Sequence, residues 1–146
     1  MIIVVDTNIK VSASVDSKSE LFSLIIDNST KIDFVTPEFS LKQIQLNREN
    51  ICRKAKKYLA IFKSNLQYLL SHITVLSDDE LTETNIQDAD NLSNKIDMDD
   101  TIFIAFSLAL NCLLWSGDRH LMNGVKRAGF QHIISTKEFK DILKGL

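Results

Sequence analysis

Aspartates flank the most hydrophobic part of this 146-residue chain. Residues 96–121 read IDMDDTIFIAFSLALNCLLWSGDRHL, with Asp97, Asp99 and Asp100 before an apolar run and Asp118 after it. A further aspartate, Asp6, follows the apolar start IIVV. Aspartates often begin helices or occupy turns. Carboxylates that meet in space can instead hold a hard divalent cation. The helices and strands that carry these residues decide between the two interpretations.

The hydrophobic pattern predicts strands that alternate with helices. We predict strands over residues 2–5, 32–35, 73–76, 112–115 and 132–134. Capping residues and helical periodicity predict helices after the 17–20 capping box, over 37–51, over 55–69, over 83–93, after Asp97 or Asp99, and after the Ser135 capping box. This alternation predicts an α/β fold: a doubly wound, mostly parallel sheet of about five strands with helices on both faces. We expect residues 1–146 to form one domain.

The predicted fold brings the aspartates to one edge of the sheet. Parallel strands place their sites at their carboxyl ends, and Asp6 and Asp118 follow the first and fourth strands. Asp97 and Asp100 begin a helix that must run back against the fourth strand, so it starts at the same edge. Four carboxylates therefore converge, and ligands that are all oxygen suit Mg²⁺ or Mn²⁺ rather than zinc.

Composition excludes several other classes of protein. The net charge of −2 argues against a generally basic coat for nucleic acid. A basic stretch between residues 39 and 77 precedes an acidic one between 78 and 100, which fits either a polyanion track beside a metal centre or two solvated helix faces. The spacing of Cys52 and Cys112 predicts neither a disulfide framework nor a zinc site. No apolar run reaches the roughly 18 residues of a membrane span, and we expect a cytoplasmic protein.

Four segments together resemble a PIN-domain nuclease: VVDTN, TPEFSLKQI, IDMDDTIFIAFSLAL and LLWSGDRHL, in this order and spacing. The resemblance implies a fold like that of 5′-nucleases, with a carboxylate cluster that holds Mg²⁺ or Mn²⁺ for cleavage of RNA. Many small prokaryotic proteins of this kind are VapC-type toxins, so the resemblance also implies an antitoxin partner and a homodimer.

The resemblance assigns roles residue by residue. The metal-binding and catalytic acids are Asp6, Asp97, Asp100 and Asp118, and the supporting residues are Asn8 and Ser116. The second acid of the family is where this sequence departs, because Gln43 precedes Ile44 where relatives have a glutamate. Glu38 lies five helical positions away, about 140° round the axis, and is expected to stabilise the helix N-terminus instead. A glutamine offers a carbonyl oxygen without charge, so we expect weaker metal binding or lost catalysis.

Two functions follow from these assignments. The first is a divalent-metal-dependent endoribonuclease, the toxin of a toxin–antitoxin pair, with phosphate contacts from Lys42, Arg48, Arg53, Lys57 and Arg119. The alternative is a catalytically weakened PIN fold that binds RNA or a protein partner without cutting, which Gln43 supports. A phosphatase of the haloacid dehalogenase type is disfavoured, because it needs a second acid where Asn8 stands. Trp115 could stack on a base, but its position inside the fourth strand favours core packing.

Overall fold

The structure is a computed structural model and describes residues 1–56, 58–93 and 98–146. Its strands are β1 (Ile2–Val5), β2 (Asp33–Pro37), β3 (Thr74–Leu76), β4 (Leu113–Trp115) and β5 (Ile133–Ile134). Its α-helices are α1 (Thr7–Ser14), α2 (Glu20–Asn28), α3 (Glu38–Ala55), α4 (Leu59–Leu70), α5 (Glu83–Leu92), α6 (Thr101–Leu110), α7 (Arg119–Arg127) and α8 (Thr136–Lys144). Short 3₁₀ helices cover Asp78–Glu80 and Met98–Asp100.

The sheet has five strands in the order β3-β2-β1-β4-β5, and every pair is parallel. At the centre, Val4 of β1 is paired with Val35 of β2 and Leu114 of β4. The side chains of β1 are β-branched and apolar, as expected for a strand that is covered on both faces. The predicted doubly wound parallel sheet is confirmed.

The two faces of the sheet carry separate apolar cores, because successive side chains of a strand point to opposite faces. Ile3 and Val5 pack in one cluster with Ile25 of α2 and Phe139 of α8. Val4 packs in the other cluster, with side chains of α5, α6 and α7. Helices therefore cover both faces, as the sequence predicts.

Trp115 belongs to the core. It is fully buried, its ring centroid lies 4.4 Å from that of Phe139, and its indole N–H donates to the Thr136 hydroxyl at 3.1 Å. Its predicted packing role is confirmed.

Two helices were not predicted, namely α1 and α7. Both carry polar residues among the apolar ones, and α7 contains Gly124, which weakens the helical signal. The buried residues Ile9 and Ala13 hold α1 against the sheet, and Leu121 and Val125 do the same for α7. Tertiary burial thus overrides a weak local propensity.

Some predicted caps are wrong. The cap of α2 is Ser19 rather than Ser17, with the Ser19 hydroxyl accepting from the Phe22 N–H. At the start of α6 the N-cap is Asp100, not Asp99, because a 3₁₀ turn precedes the helix. Asp97, the other cap candidate, lies outside the described residues. The capping box of Ser135 with Glu138 is confirmed.

Within the described ranges, none of the helices combines the length and apolar character needed to cross a membrane.

Candidate active site

The carboxyl ends of β1 and β4 lie side by side and bring Asp6 next to Ser116. Val5 is paired with Trp115 in the sheet, and the Asp6 backbone N–H donates to the Trp115 carbonyl oxygen at 3.0 Å. Both Asp6 and Ser116 are almost completely buried. Strand pairing therefore joins two residues that are far apart in sequence.

Three hydrogen bonds orient the Asp6 carboxylate. Its Oδ2 accepts from the Ser116 hydroxyl at 2.7 Å and from the Asn8 amide at 3.3 Å. Its Oδ1 accepts from the Thr7 backbone N–H at 2.7 Å, which makes Asp6 the N-cap of α1. An ionised carboxylate offers about four lone-pair sites, so these three donors do not exhaust its capacity.

The environment of Asp6 disfavours its charge. Burial raises the pKa of Asp6, because loss of hydration penalises the ionised form, and the charge of Asp118 raises this pKa further. The Ser116 hydrogen bond, the Lys10 ammonium and the Thr7 N–H act in the opposite direction. Asp6 is thus a buried carboxyl close to a second acid, a combination that a cation would stabilise.

Asp118 stands between β4 and α7. Its Oδ1 accepts from the Leu121 N–H at 3.1 Å, so it is the N-cap of α7. The Asp118 backbone N–H donates to the Ser116 hydroxyl at 3.1 Å, and the Gly117 N–H donates to Asn8 Oδ1 at 3.0 Å. These bonds fasten the loop after β4 to the first turn of α1.

A cleft of about 280 Å³ opens beside this network. Four of the predicted site residues line it: Asp6, Asn8, Gln43 and Asp100. The remainder of its wall is formed by Thr7, Val11, Ile44, Asn47 and Ile51. The structure therefore brings together Asp6, which follows β1, with groups from α1, α3 and the segment before α6.

Gln43 is tied to the start of α1. Its Oε1 accepts a hydrogen bond from the Thr7 hydroxyl at 2.9 Å, and the same hydroxyl lies 2.9 Å from that of Ser40. Glu38 lies elsewhere, near Asp78. Burial, and after it the charge of Glu38, raises the pKa of the Asp78 carboxyl.

The donor atoms of this region fit a hard divalent cation. Carboxylates of Asp6 and Asp100 and amide groups of Asn8 and Gln43 share one cleft, and Mg²⁺ and Mn²⁺ prefer oxygen ligands of these kinds. Over residues 1–56, 58–93 and 98–146, no group of three or more acidic, histidine or cysteine side chains is arranged to hold a metal. Asp97, the fourth predicted acid, lies outside the described residues.

The predicted phosphate-binding residues are spread over different faces. Lys42 and Arg48 line an outer groove of about 570 Å³ on α3 with Gln45, Leu46 and Glu49. Lys42 and Arg53 lie on the side of α3 roughly opposite the cleft residue Asn47, since each helical position turns the chain by about 100°. Arg119 is exposed and directly follows Asp118. Lys57 lies outside the described residues.

One residue near the site was missed by sequence reasoning. Lys10 is fully buried and interacts electrostatically with Asp6. The sequence spacing could have indicated that Lys10 lies near Asp6, because residues four apart share a helix face. Lys10 stands four positions after Asp6, between the buried residues Ile9 and Ala13.

The fold and the site define an α/β protein with an acidic cleft at the carboxyl edge of a parallel sheet. The family model of the PIN domain matches residues 4–138, and the chain belongs to the PIN-domain family. Members of this family are generally nucleases that use divalent metals.

A solved structure shares the fold. A chain in the crystal structure of VapBC2 from Rickettsia felis, bound to a DNA fragment from their promoter, superposes with a TM-score of 0.65. The match covers 92% of this chain and 97% of that one at 15% sequence identity, so it concerns the fold. No curated protein matches the sequence.

Proposed function

We propose that this protein is a divalent-metal-dependent endoribonuclease, the toxin of a toxin–antitoxin pair. The observation that carries the proposal is the cleft at the carboxyl edge, which Asp6, Asn8, Gln43 and Asp100 line together. Membership of the PIN-domain family supports a nuclease. The raised pKa of Asp6, caused by burial and then by the nearby Asp118 charge, supports a site that favours a cation.

In this proposal Asp6, Asp100 and Asp118 hold Mg²⁺ or Mn²⁺, with Asp97 in support. The ion would supply an activated water and neutralise charge that develops on the phosphate. Ser116 and Asn8 keep Asp6 oriented, because both donate to its Oδ2.

Substrate contacts are proposed for basic side chains beside Asp118 and on the outer side of α3. Arg119 is the best placed, since it is exposed next to Asp118. Lys42, Arg48 and Arg53 extend along α3 and would contact RNA that continues past the cleft. Lys57 is proposed with them from the sequence alone.

The partner proposed is an antitoxin. The solved VapBC2 structure from Rickettsia felis is bound to promoter DNA, and a fold shared over most of both chains supports an analogous assembly here. We also propose a homodimer in the cytoplasm, with residues 1–146 as one domain. Light scattering of the purified protein tests the dimer, and a strict monomer would contradict it.

The test of the nuclease is cleavage of a mixed single-stranded RNA pool in Mg²⁺ or Mn²⁺, with and without a chelator. We expect metal-dependent cutting that Asp100→Asn reduces by at least about a hundredfold, the scale on which loss of one charge-stabilising group acts. Asp90→Asn is the matched control, because Asp90 is an exposed residue of α5. Equal loss in both variants would contradict a role for Asp100 in the site.

A second candidate is a weakened PIN fold that binds without cutting. Gln43 favours it, because this side chain brings no charge and its Oε1 is engaged by Thr7. Gln43→Glu distinguishes the two candidates. If the natural protein does not cut and the Gln43→Glu variant does, the weakened form is the correct description. Cutting by the natural protein would reject it.

A further inference from the structure

A lysine is buried where three elements of the candidate site meet. Lys10 belongs to α1 and is 0% exposed. Its ammonium donates to the Val5 carbonyl oxygen at 2.7 Å and to the Thr36 hydroxyl at 2.5 Å. It also lies 5.5 Å from the centroid of the Phe103 ring. Val5 ends β1, just before Asp6, and Thr36 lies near the end of β2, just before α3. Phe103 lies in the first turn of α6, just after Asp100.

A buried ammonium is expensive, because loss of hydration costs more than neutral hydrogen bonds return. Burial lowers the pKa of Lys10 to about 7, while the Asp6 charge opposes this shift. Both hydrogen-bond acceptors of Lys10 are neutral oxygens. Two electrostatic interactions among the described residues offset part of this cost: the one with the Asp6 carboxylate and the one with the face of the Phe103 ring.

The Val5 carbonyl oxygen does not need a lysine at position 10 as its hydrogen-bond donor. The Thr36 hydroxyl itself donates to the Val5 carbonyl oxygen at 3.1 Å, so this carbonyl keeps a partner without Lys10. An apolar side chain of similar length would fill the same space without burying a charge. What only the lysine supplies is a positive charge that interacts with Asp6.

We propose that Lys10 is an internal counter-cation of the acidic cleft, and that its ammonium weakens the binding of divalent ions there. This inference rests on the proposed metal site. In the ion-free protein, Lys10 offsets part of the charge of Asp6. When an ion enters, the same ammonium repels it. Together with Gln43 in place of a glutamate, Lys10 makes the cleft less negative than four carboxylates alone would.

The sign of the effect follows from the charges involved. Removal of Lys10 favours a divalent ion, which carries two charges, and also favours a competing proton on Asp6, which carries one. The gain for the ion is the larger of the two at comparable distances. A neutral residue at position 10 should therefore tighten binding of the ion even though it also makes Asp6 easier to protonate.

The experiment measures Mn²⁺ binding to the full chain by electron paramagnetic resonance of the free ion, at pH 6.0, below the pKa of about 7 of Lys10. Lys10→Met and Lys10→Gln are compared with the natural protein, after circular dichroism has checked that each variant is folded. Lys31→Met is the matched control. Lys31→Met changes the net charge by the same amount as Lys10→Met. Lys31 is exposed and lies before β2, at the end of the sheet away from the cleft.

We expect both Lys10 variants to bind Mn²⁺ more tightly, by up to about tenfold at this pH. That is the limit for a lysine whose pKa lies about one unit above the pH, since it can lose its proton when the ion binds. Lys31→Met should bind as the natural protein does. Unchanged or weaker binding in the folded Lys10 variants would overturn the inference and leave the metal site intact. Absence of Mn²⁺ binding in every protein would overturn the metal site itself, and the inference with it.

Discussion

Ser116 should hold Asp6 and the loop after β4 in their relative positions, and its substitution is the sharpest test of the hydrogen-bond geometry of the candidate site. Its hydroxyl donates to Asp6 Oδ2 at 2.7 Å and accepts from the Asp118 N–H at 3.1 Å. It also accepts from the Asn8 amide at 3.4 Å. Ser116→Ala removes all three bonds and leaves a buried carboxylate oxygen and the Asp118 N–H each short of a partner. A hydrogen bond to a charged group contributes about 1.5 to 3 kcal/mol.

We therefore expect Ser116→Ala to lower the free energy of unfolding by about 2 to 3 kcal/mol at pH 7. For a chain of this length, each kcal/mol lowers Tm by about 2 to 4 °C. Because Ser116 holds the pKa of Asp6 down against burial, it stabilises the ionised form. Its contribution is present above the folded-state pKa of Asp6 and is lost as the pH falls through that value. The destabilisation should shrink accordingly in acid.

Ser14→Ala is the matched control. Ser14 is also 0% exposed, but among the described residues nothing hydrogen-bonds its hydroxyl. Loss of an unsatisfied buried hydroxyl is neutral or stabilising, and alanine is the better helix former in α1. Urea denaturation in the presence of a chelator measures both variants. If Ser116→Ala were within about 0.5 kcal/mol of Ser14→Ala, the hydrogen bonds of Ser116 would not hold the site together.

Two further predictions concern ionisable groups outside the cleft. The Ser135 N–H donates to Glu138 at 2.7 Å and holds the pKa of Glu138 below its usual range. Glu138→Gln should therefore lower the free energy of unfolding at pH 7 but not at pH 2. Urea denaturation at the two pH values measures this difference. Burial raises the pKa of the Cys112 thiol to about 11. Iodoacetamide at pH 8 should therefore label the Cys112 peptide much more slowly in the native protein than in urea. Equal labelling rates, measured by mass spectrometry, would contradict this prediction.

The sheet could be predicted because its strands are short, apolar and bounded by clear turns. A run such as Ile2–Val5 has one stable environment, the middle of a parallel sheet. Helices α1 and α7 could not be predicted in the same way. Their formation depends on residues such as Ile9 and Val125 being buried by elements distant in sequence, and this information is absent from a local window.

In the site too, the positions of the strand ends are predictable from sequence, whereas the side-chain contacts are not. The order of strands and helices predicts that Asp6, Asp100 and Asp118 approach one edge, since that follows from parallel topology. The sequence does not predict that Gln43 is engaged by the Thr7 hydroxyl. Nor does it predict that Lys10 reaches back to Val5. Both contacts depend on side-chain directions that only the assembled packing determines.

Capping and ion binding were opposed as explanations for the aspartates, yet the structure makes them compatible. Asp6 caps α1 and Asp118 caps α7, each through Oδ1. A carboxylate accepts about four contacts, so a cap uses only part of it. Because a cap also fixes the side chain at the end of its strand, it orders the carboxylate before any ion arrives. Helix capping at this edge thus reduces the conformational entropy that a metal would otherwise have to remove, and the two roles reinforce each other.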